Sequence, residues 1–290
     1  NFIFFTFRDF TRLIAWIIEL PYNLVLALIS KGFLRGQGQE AIEILSPLSW
    51  ISVISIIVFM ALYTKDKLLV FLVFFAFLYL AIFGQWKSSM VTLSSIVIAV
   101  PIGVIIGLFL GILSYKSKLL EKAITPVLDL MQTIPVFAYL VPILVMFGFG
   151  PVAALIATVI YAMPPMVRTS LLALKNVDPQ IKESGLMSGC TKRQLLWQGL
   201  IPVSKPTLMV GVNQVIMLSL NMVIIASMIG AGGLGYDVLA SLRRLNIGAG
   251  IETGFAIVVL AIALDRLSQA FVNIKSERKK EGISFLKKYK

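Results

Sequence analysis

Val91-Thr-Leu-Ser-Ser-Ile-Val-Ile-Ala-Val-Pro-Ile-Gly-Val-Ile-Ile-Gly-Leu-Phe-Leu-Gly-Ile-Leu113 runs for 23 residues without a charged side chain. A helix needs about 20 such residues to cross the hydrocarbon core of a bilayer. A transmembrane β-strand would instead alternate apolar and polar residues over about 10 positions. The run therefore reads as a membrane-spanning helix. Its Gly103, Gly107 and Gly111 form a small-residue stripe that suits close packing against a neighbouring helix.

Six further stretches read the same way, giving spans at 46–62, 67–84, 91–113, 128–149, 152–173, 206–229 and 252–272. Prolines 101, 135, 142, 164 and 165 fall inside them, as membrane helices tolerate when neighbours re-satisfy the freed backbone groups. Composition agrees: 58% of the chain is hydrophobic and 14% charged, against about 25% charged in soluble domains. The fold class is an all-α, polytopic integral membrane protein with seven to eight transmembrane helices. Residues 1–45 admit two readings, an amphipathic surface helix or an eighth span. Residues 13–34 are apolar yet hold Glu19, Pro21, Asn23 and Lys31, and 35–45 is expected outside in either case. Residues 46–272 form the transmembrane domain, and 273–290 a basic, solvated cytoplasmic tail. The chain begins at Asn1 rather than Met, so the native start is expected upstream, and no cleavable signal peptide is evident.

The net charge of +12 is not a nucleic-acid signature, because the basic residues sit between spans. Lys116, Lys118 and Lys122, then Lys175, Lys182, Lys192, Arg193 and Lys205, then the tail and the Lys65/Lys67 turn all fall on one side. That side is the cytoplasm by the positive-inside rule; Lys87, Arg243 and Arg244 lie opposite. One cysteine, Cys190, and no histidine exclude an internal disulfide and a His/Cys metal site. A Gly-x-x-x-x-Gly-Lys-Ser/Thr phosphate loop is also missing, so this stretch of chain does not itself hold ATP.

The stretch 175–205 is polar and basic between two spans. Asp178 is placed to cap a helix with Pro179 at its first position. A helix over 180–188 should break at Gly189, and a second over 191–200 should end before Pro202. Two short helices joined at glycine make a protruding knob, with Leu186, Met187, Leu195 and Leu196 as apolar contacts for a partner's groove. A solvated amphipathic connector fits the same pattern.

The order Glu183-Ser-Gly-Leu-Met-Ser-Gly-Cys-Thr-Lys-Arg-Gln-Leu-Leu-Trp-Gln-Gly-Leu-Ile-Pro202 resembles the "EAA loop" of permease subunits in binding-protein-dependent ABC importers. In that pattern Glu183, Gly189 and Pro202 are in register. Ser184 and Gly185 replace the two alanines, Gly199 the isoleucine and Ile201 the leucine. Leu128-Asp-Leu-Met-Gln-Thr-Ile-Pro-Val-Phe-Ala-Tyr-Leu-Val-Pro142, Gly211-Val-Asn-Gln-Val-Ile-Met-Leu218, Ile225-Ala-Ser-Met-Ile-Gly-Ala-Gly-Gly-Leu-Gly235 and Leu264-Asp-Arg-Leu-Ser-Gln-Ala270 are similar to glycine betaine/proline permeases. The resemblance covers about residues 85–272. It implies a type I, MetI-like helical bundle working as a homodimer by alternating access. It implies two ATPase subunits that bind ATP and Mg, and a periplasmic or membrane-anchored substrate-binding protein. The implied cargo is glycine betaine or a related methylated amine; choline, carnitine, trimethylamine oxide, proline or another small solute are the alternatives. The implied place is the inner or cytoplasmic membrane, with the C-terminus cytoplasmic and no enzyme activity or cofactor in this chain.

Polar residues within spans are candidate pathway groups. Asp129, Gln132 and Thr133 share a helical face, and Asn213, Gln214 and Asn221 lie in the next-to-last span. The same groups would also serve as interhelical hydrogen-bonding glue. Phe137 and Tyr139 could meet a methylated cation through their rings. Gly230, Gly232, Gly233 and Gly235 read as an outer hinge or gate. Asp129 and Asp265 are the intramembrane charges in this reading, too few for an ion-coupled secondary transporter.

Overall fold

Thr11–Lys31, Trp86–Lys116, Pro151–Lys175, Lys192–Ala226 and Ile247–Ala270 are, among the described residues, the helices long and apolar enough to cross a membrane. A computed structural model describes the backbone of residues 2–35 and 42–288, and the side chains of most of 11–270. Residues 36–41, expected outside, together with Arg8 and the side chains of the basic tail, lie outside what is described.

The N-terminal helix α1 (Phe2–Leu26) continues through a π turn, Ala27–Lys31, to Gly32. Its Tyr22 and Leu26 are buried among Ala99, Leu155 and Val159. Strands β1 (Phe33–Arg35) and β2 (Ile42–Leu45) then pair antiparallel in an otherwise helical chain. Next come α2 (Trp50–Leu62) and α3 (Lys67–Ile82), which are shorter than the sequence spans. The start of the 46–62 stretch is extended, and Asp66 caps α3 by accepting from the Leu68 and Leu69 amides at 3.0 and 3.3 Å.

The core is built by α4 (Trp86–Lys116), α7 (Pro151–Lys175) and α10 (Ile201–Ala226). Their glycines let the backbones approach. A Cβ on Gly107 would stand 2.6 Å from Met166 Cβ, and one on Gly111 2.5 Å from Ser170 Cβ. Gly211 of α10 abuts Thr169 and Met166 of α7 in the same manner. The helix α12 (Ile247–Lys288) covers α3 and α10.

Two expectations are corrected. The 128–149 span is two helices, α5 (Lys118–Thr133) and α6 (Val136–Phe147), bent by 104°. Pro135 forces the break: Ile134 before it is extended (φ −67°, ψ 130°), as steric clash with a proline ring requires. The expected connection between the 91–113 and 128–149 spans shrinks to Ser117, whose hydroxyl accepts from the Leu120 amide at 3.4 Å and caps α5. The second correction concerns Pro202. It does not end a helix, because α9 (Lys192–Gln194), a π turn (Leu195–Leu200) and α10 run on as one rod. The wider π turn precedes the proline, whose ring and missing N–H disturb the ladder four residues back.

Candidate functional site

Two regions gather most of the candidate residues. The first is the knob between α7 and α10. Asp178 caps α8 (Pro179–Met187), its carboxylate accepting from the Gln180 amide at 2.9 Å with Pro179 at the first turn. The helix stops at Gly189, at φ +74°. The Cys190 amide donates to the Gly185 carbonyl at 3.1 Å and the Gly189 amide to the Leu186 carbonyl at 3.0 Å. These two bonds with a left-handed glycine make a Schellman stop. Two residues on, Thr191 and Gln194 form a capping box: the Gln194 amide donates to Thr191 Oγ1 at 3.3 Å and the Thr191 amide to Gln194 Oε1 at 2.9 Å. A stop and a start two residues apart fix the angle of the elbow. The Thr-x-x-Gln signal for the second half was present in the sequence and went unread there.

The elbow is also anchored below. Leu196 and Leu200 are buried with Ile112, Leu174 and Val177, and Leu195 packs beside them. Gly185 lets α8 close on this surface, since a Cβ there would stand 2.6 Å from Leu195 Cδ1. Leu195 and Leu196, expected among the outward contacts, therefore turn inward. Helical periodicity decides this: continuing the rod upstream of Pro202 puts 196 and 200 on its core face. Leu186 and Met187 remain outward, 55% and 88% exposed, beside the exposed Glu183 and Ser184. Lys182 ties α8 down, donating to the Lys175 carbonyl at 3.3 Å and lying 5.9 Å from the Tyr115 ring centroid.

The second region is a cleft of about 400 Å³ lined by Gln132, Pro165, Arg168, Thr169, Gln214, Met217 and Leu218. It unites Gln132 and Gln214 from the sequence candidates and adds Arg168. Arg168 forms an ion pair with Asp129, and Lys175 one with Glu121, so two pairs clip α5 to α7. Sequence reasoning passed over Arg168, although a charge inside the 152–173 run is itself the signal. Asp265, the other charge it named, is satisfied within its own helix by Gln269 at 2.8 and 2.9 Å. Thr133 donates to the Leu130 carbonyl at 3.0 Å on the same exposed stretch of α5. Asn221 is exposed on α10, while Asn213 turns to α12 and accepts from Ser268 Oγ at 2.8 Å. Tyr139 donates to the Met131 carbonyl and lies edge-on to Tyr161, whereas Phe137 stays exposed.

At the far end, Gly230, Gly232 and Gly233 have φ of +99°, +73° and +80°. They turn the chain from α10 into α11 (Leu234–Arg243), a helix the sequence reading did not place. Gly233 fits under Thr92, which accepts from the Leu234 amide at 3.0 Å, and Gly235 packs against the Ile224 backbone. Among the described residues no group of three or more His, Cys, Asp or Glu side chains could hold a metal ion.

Residues 103–280 match the family described as "Binding-protein-dependent transport system inner membrane component". The chain is 39% identical over 246 residues to the trimethylamine N-oxide transport system permease protein TmoV of Ruegeria pomeroyi, covering 85% of this chain and 37% of that protein. It is 46% identical over 187 residues to the glycine betaine/proline betaine transport system permease protein ProW of Escherichia coli, covering 64% and 53%. It is 40% identical over 206 residues to the glycine betaine transport system permease protein OpuAB of Bacillus subtilis, covering 71% and 72%. The chain thus spans about half or less of the TmoV and ProW relatives. In fold it is similar to an inward-facing MetNI methionine ABC transporter, with a TM-score of 0.59 at 21% identity over 63% of this chain and 92% of that one. The helical bundle, the motif-bearing knob and these matches converge: the chain belongs to the inner-membrane permease components of binding-protein-dependent ABC importers, a family of transport subunits rather than enzymes.

Proposed function

We propose that this chain is the permease of an ATP-driven importer for glycine betaine or a related methylated amine. The observation that carries the ATP-driven part is the elbow at 178–202, whose Glu183, Gly189 and Pro202 match the family's ATPase-coupling loop and whose Leu186 and Met187 face outward. The cargo rests on relatives named for glycine betaine and for trimethylamine N-oxide. Trimethylamine N-oxide is a specific second cargo, because that match covers 85% of the chain.

In this reading two copies of the permease sit side by side, two ATPase subunits bind ATP and Mg, and each engages one elbow. A substrate-binding protein, free in the periplasm or anchored, delivers cargo to the glycine turn at Gly230–Gly235. The elbow and the C-terminus lie in the cytoplasm. Closure of the ATPases moves the elbows and opens the pathway outward; hydrolysis resets it. The cleft at Gln132, Arg168 and Gln214, with Asp129 at its side, belongs to that pathway. Each nucleotide state shifts the balance by binding one conformation better than the other.

The test is uptake of labelled glycine betaine into vesicles carrying permease, ATPase and binding protein, with and without internal ATP. Trimethylamine N-oxide, choline, carnitine and proline serve as competitors. ATP-dependent uptake blocked by one competitor supports the function and names the cargo. Uptake driven by an ion gradient alone refutes it.

A further inference from the structure

We infer that Arg168 binds the anionic oxygen of a zwitterionic cargo during passage, taking it in exchange for the Asp129 carboxylate; this rests on the import function proposed above. Arg168 lies seven residues before Lys175 at the end of α7, about 10 Å into the helix at 1.5 Å per residue. A guanidinium at that depth is costly and marks a functional position. Its five N–H donors form a rigid fork. One terminal nitrogen meets Asp129, while Nε is buried without a hydrogen-bond partner among the described residues. Arg168 is thus under-satisfied on the wall of the 400 Å³ cleft, beside two amides, Gln132 and Gln214.

The chemistry of the relatives' cargoes fits this arrangement. Trimethylamine N-oxide, glycine betaine, proline betaine and carnitine each join a permanently cationic nitrogen to an anionic oxygen and are neutral overall. Asp129 and Arg168 are a neutral pair of the opposite sense. Parting them leaves the Arg168 fork, whose Nε is already buried without a partner, short of its carboxylate as well. A zwitterion entering between them repays both, its oxygen on Arg168 and its onium end toward Asp129. A cation such as choline has no second charge and leaves Arg168 unpaired. The Glu121–Lys175 pair on the same two helices lies outside the cleft lining and serves as the internal contrast.

The experiment uses the complete importer in vesicles with internal ATP and reads glycine betaine imported per ATP hydrolysed. In Arg168→Gln this ratio should fall at least about tenfold, the worth of one lost charge-assisted contact. In Glu121→Gln it should stay within about twofold of the unaltered protein, since that pair touches no part of the cleft lining and a single pair open to solvent is worth little. The exchange Asp129→Arg with Arg168→Asp restores the clip between α5 and α7 but puts the fork on the other helix, and should not restore the ratio. An unchanged ratio in Arg168→Gln, an equal fall in Glu121→Gln, or full recovery in the exchanged protein would overturn the inference and leave the import function standing. An unaltered importer that moves none of the zwitterions would overturn both.

Discussion

Gly189 is held at φ +74° by the Schellman bonds, and nothing stands within 4 Å of where its Cβ would be. The whole penalty of a side chain there is backbone strain, about 1–2 kcal/mol. Gly189→Val should therefore leave the bundle intact but distort the elbow, so that ATP is hydrolysed with reduced uptake; uptake and hydrolysis assayed together decide it. Gly111 has the reverse problem. Its φ is ordinary, but a Cβ there meets Ser170 Cβ at 2.5 Å and the Val167 carbonyl at 2.9 Å, atoms fixed in α7. Gly111→Leu should lower stability in detergent by about 1–3 kcal/mol through overpacking, read as a fall in Tm. A melting curve superimposable on the unaltered protein's would show that α4 and α7 have room to part.

At the scale of elements, the capping box makes a sharper demand than the fold around it. Thr191→Ala removes both side-chain bonds to Gln194 and should cost about 1 kcal/mol of local helix stability. Amide exchange at residues 192–195 should speed up several-fold while residues of α7 keep their protection. What the sequence disclosed of these elements follows physical range. Asp178, Pro179 and Gly189 act on their own backbone within a few residues, and their roles were legible. The bend at Pro135 was not, because an apolar run reads alike whether one helix or two carries it. Leu195 and Leu196, expected outward, turn inward because the helix runs on through Pro202, and only that continuity sets their phase. Arg168 was legible as a charge in a span, yet its pairing with Asp129 joins positions 39 residues apart and needed the fold.

Over the whole molecule, the sole cysteine offers a direct test of sidedness. Cys190 lies in the elbow and is partly exposed. With the elbow in the cytoplasm, a membrane-impermeant maleimide should label the protein in inside-out vesicles and leave intact cells unlabelled. Labelling from outside would invert the orientation and with it the direction of transport. The helical class needed only composition and run length, since lipid demands internally satisfied backbone, whereas the expected seven to eight spans stand against five helices of full length and one bent pair among the described residues. The arrangement around α7 needed coordinates, because the contacts of Gly107, Gly111 and Gly211 with α7 are distant in sequence.

The single helix Lys192–Ala226 has 35 residues, about 52 Å at 1.5 Å per residue. It begins at the elbow, ends at Ala226 just before the turn at left-handed Gly230, and is pinched against Thr169 and Met166 at Gly211, nineteen residues from one end and fifteen from the other. A continuous helix gripped near its middle is a see-saw. In the proposed dimer with its elbows in the cytoplasm, drawing those two ends together would swing the far ends apart about Gly211 by a comparable distance, with no separate signal across the membrane.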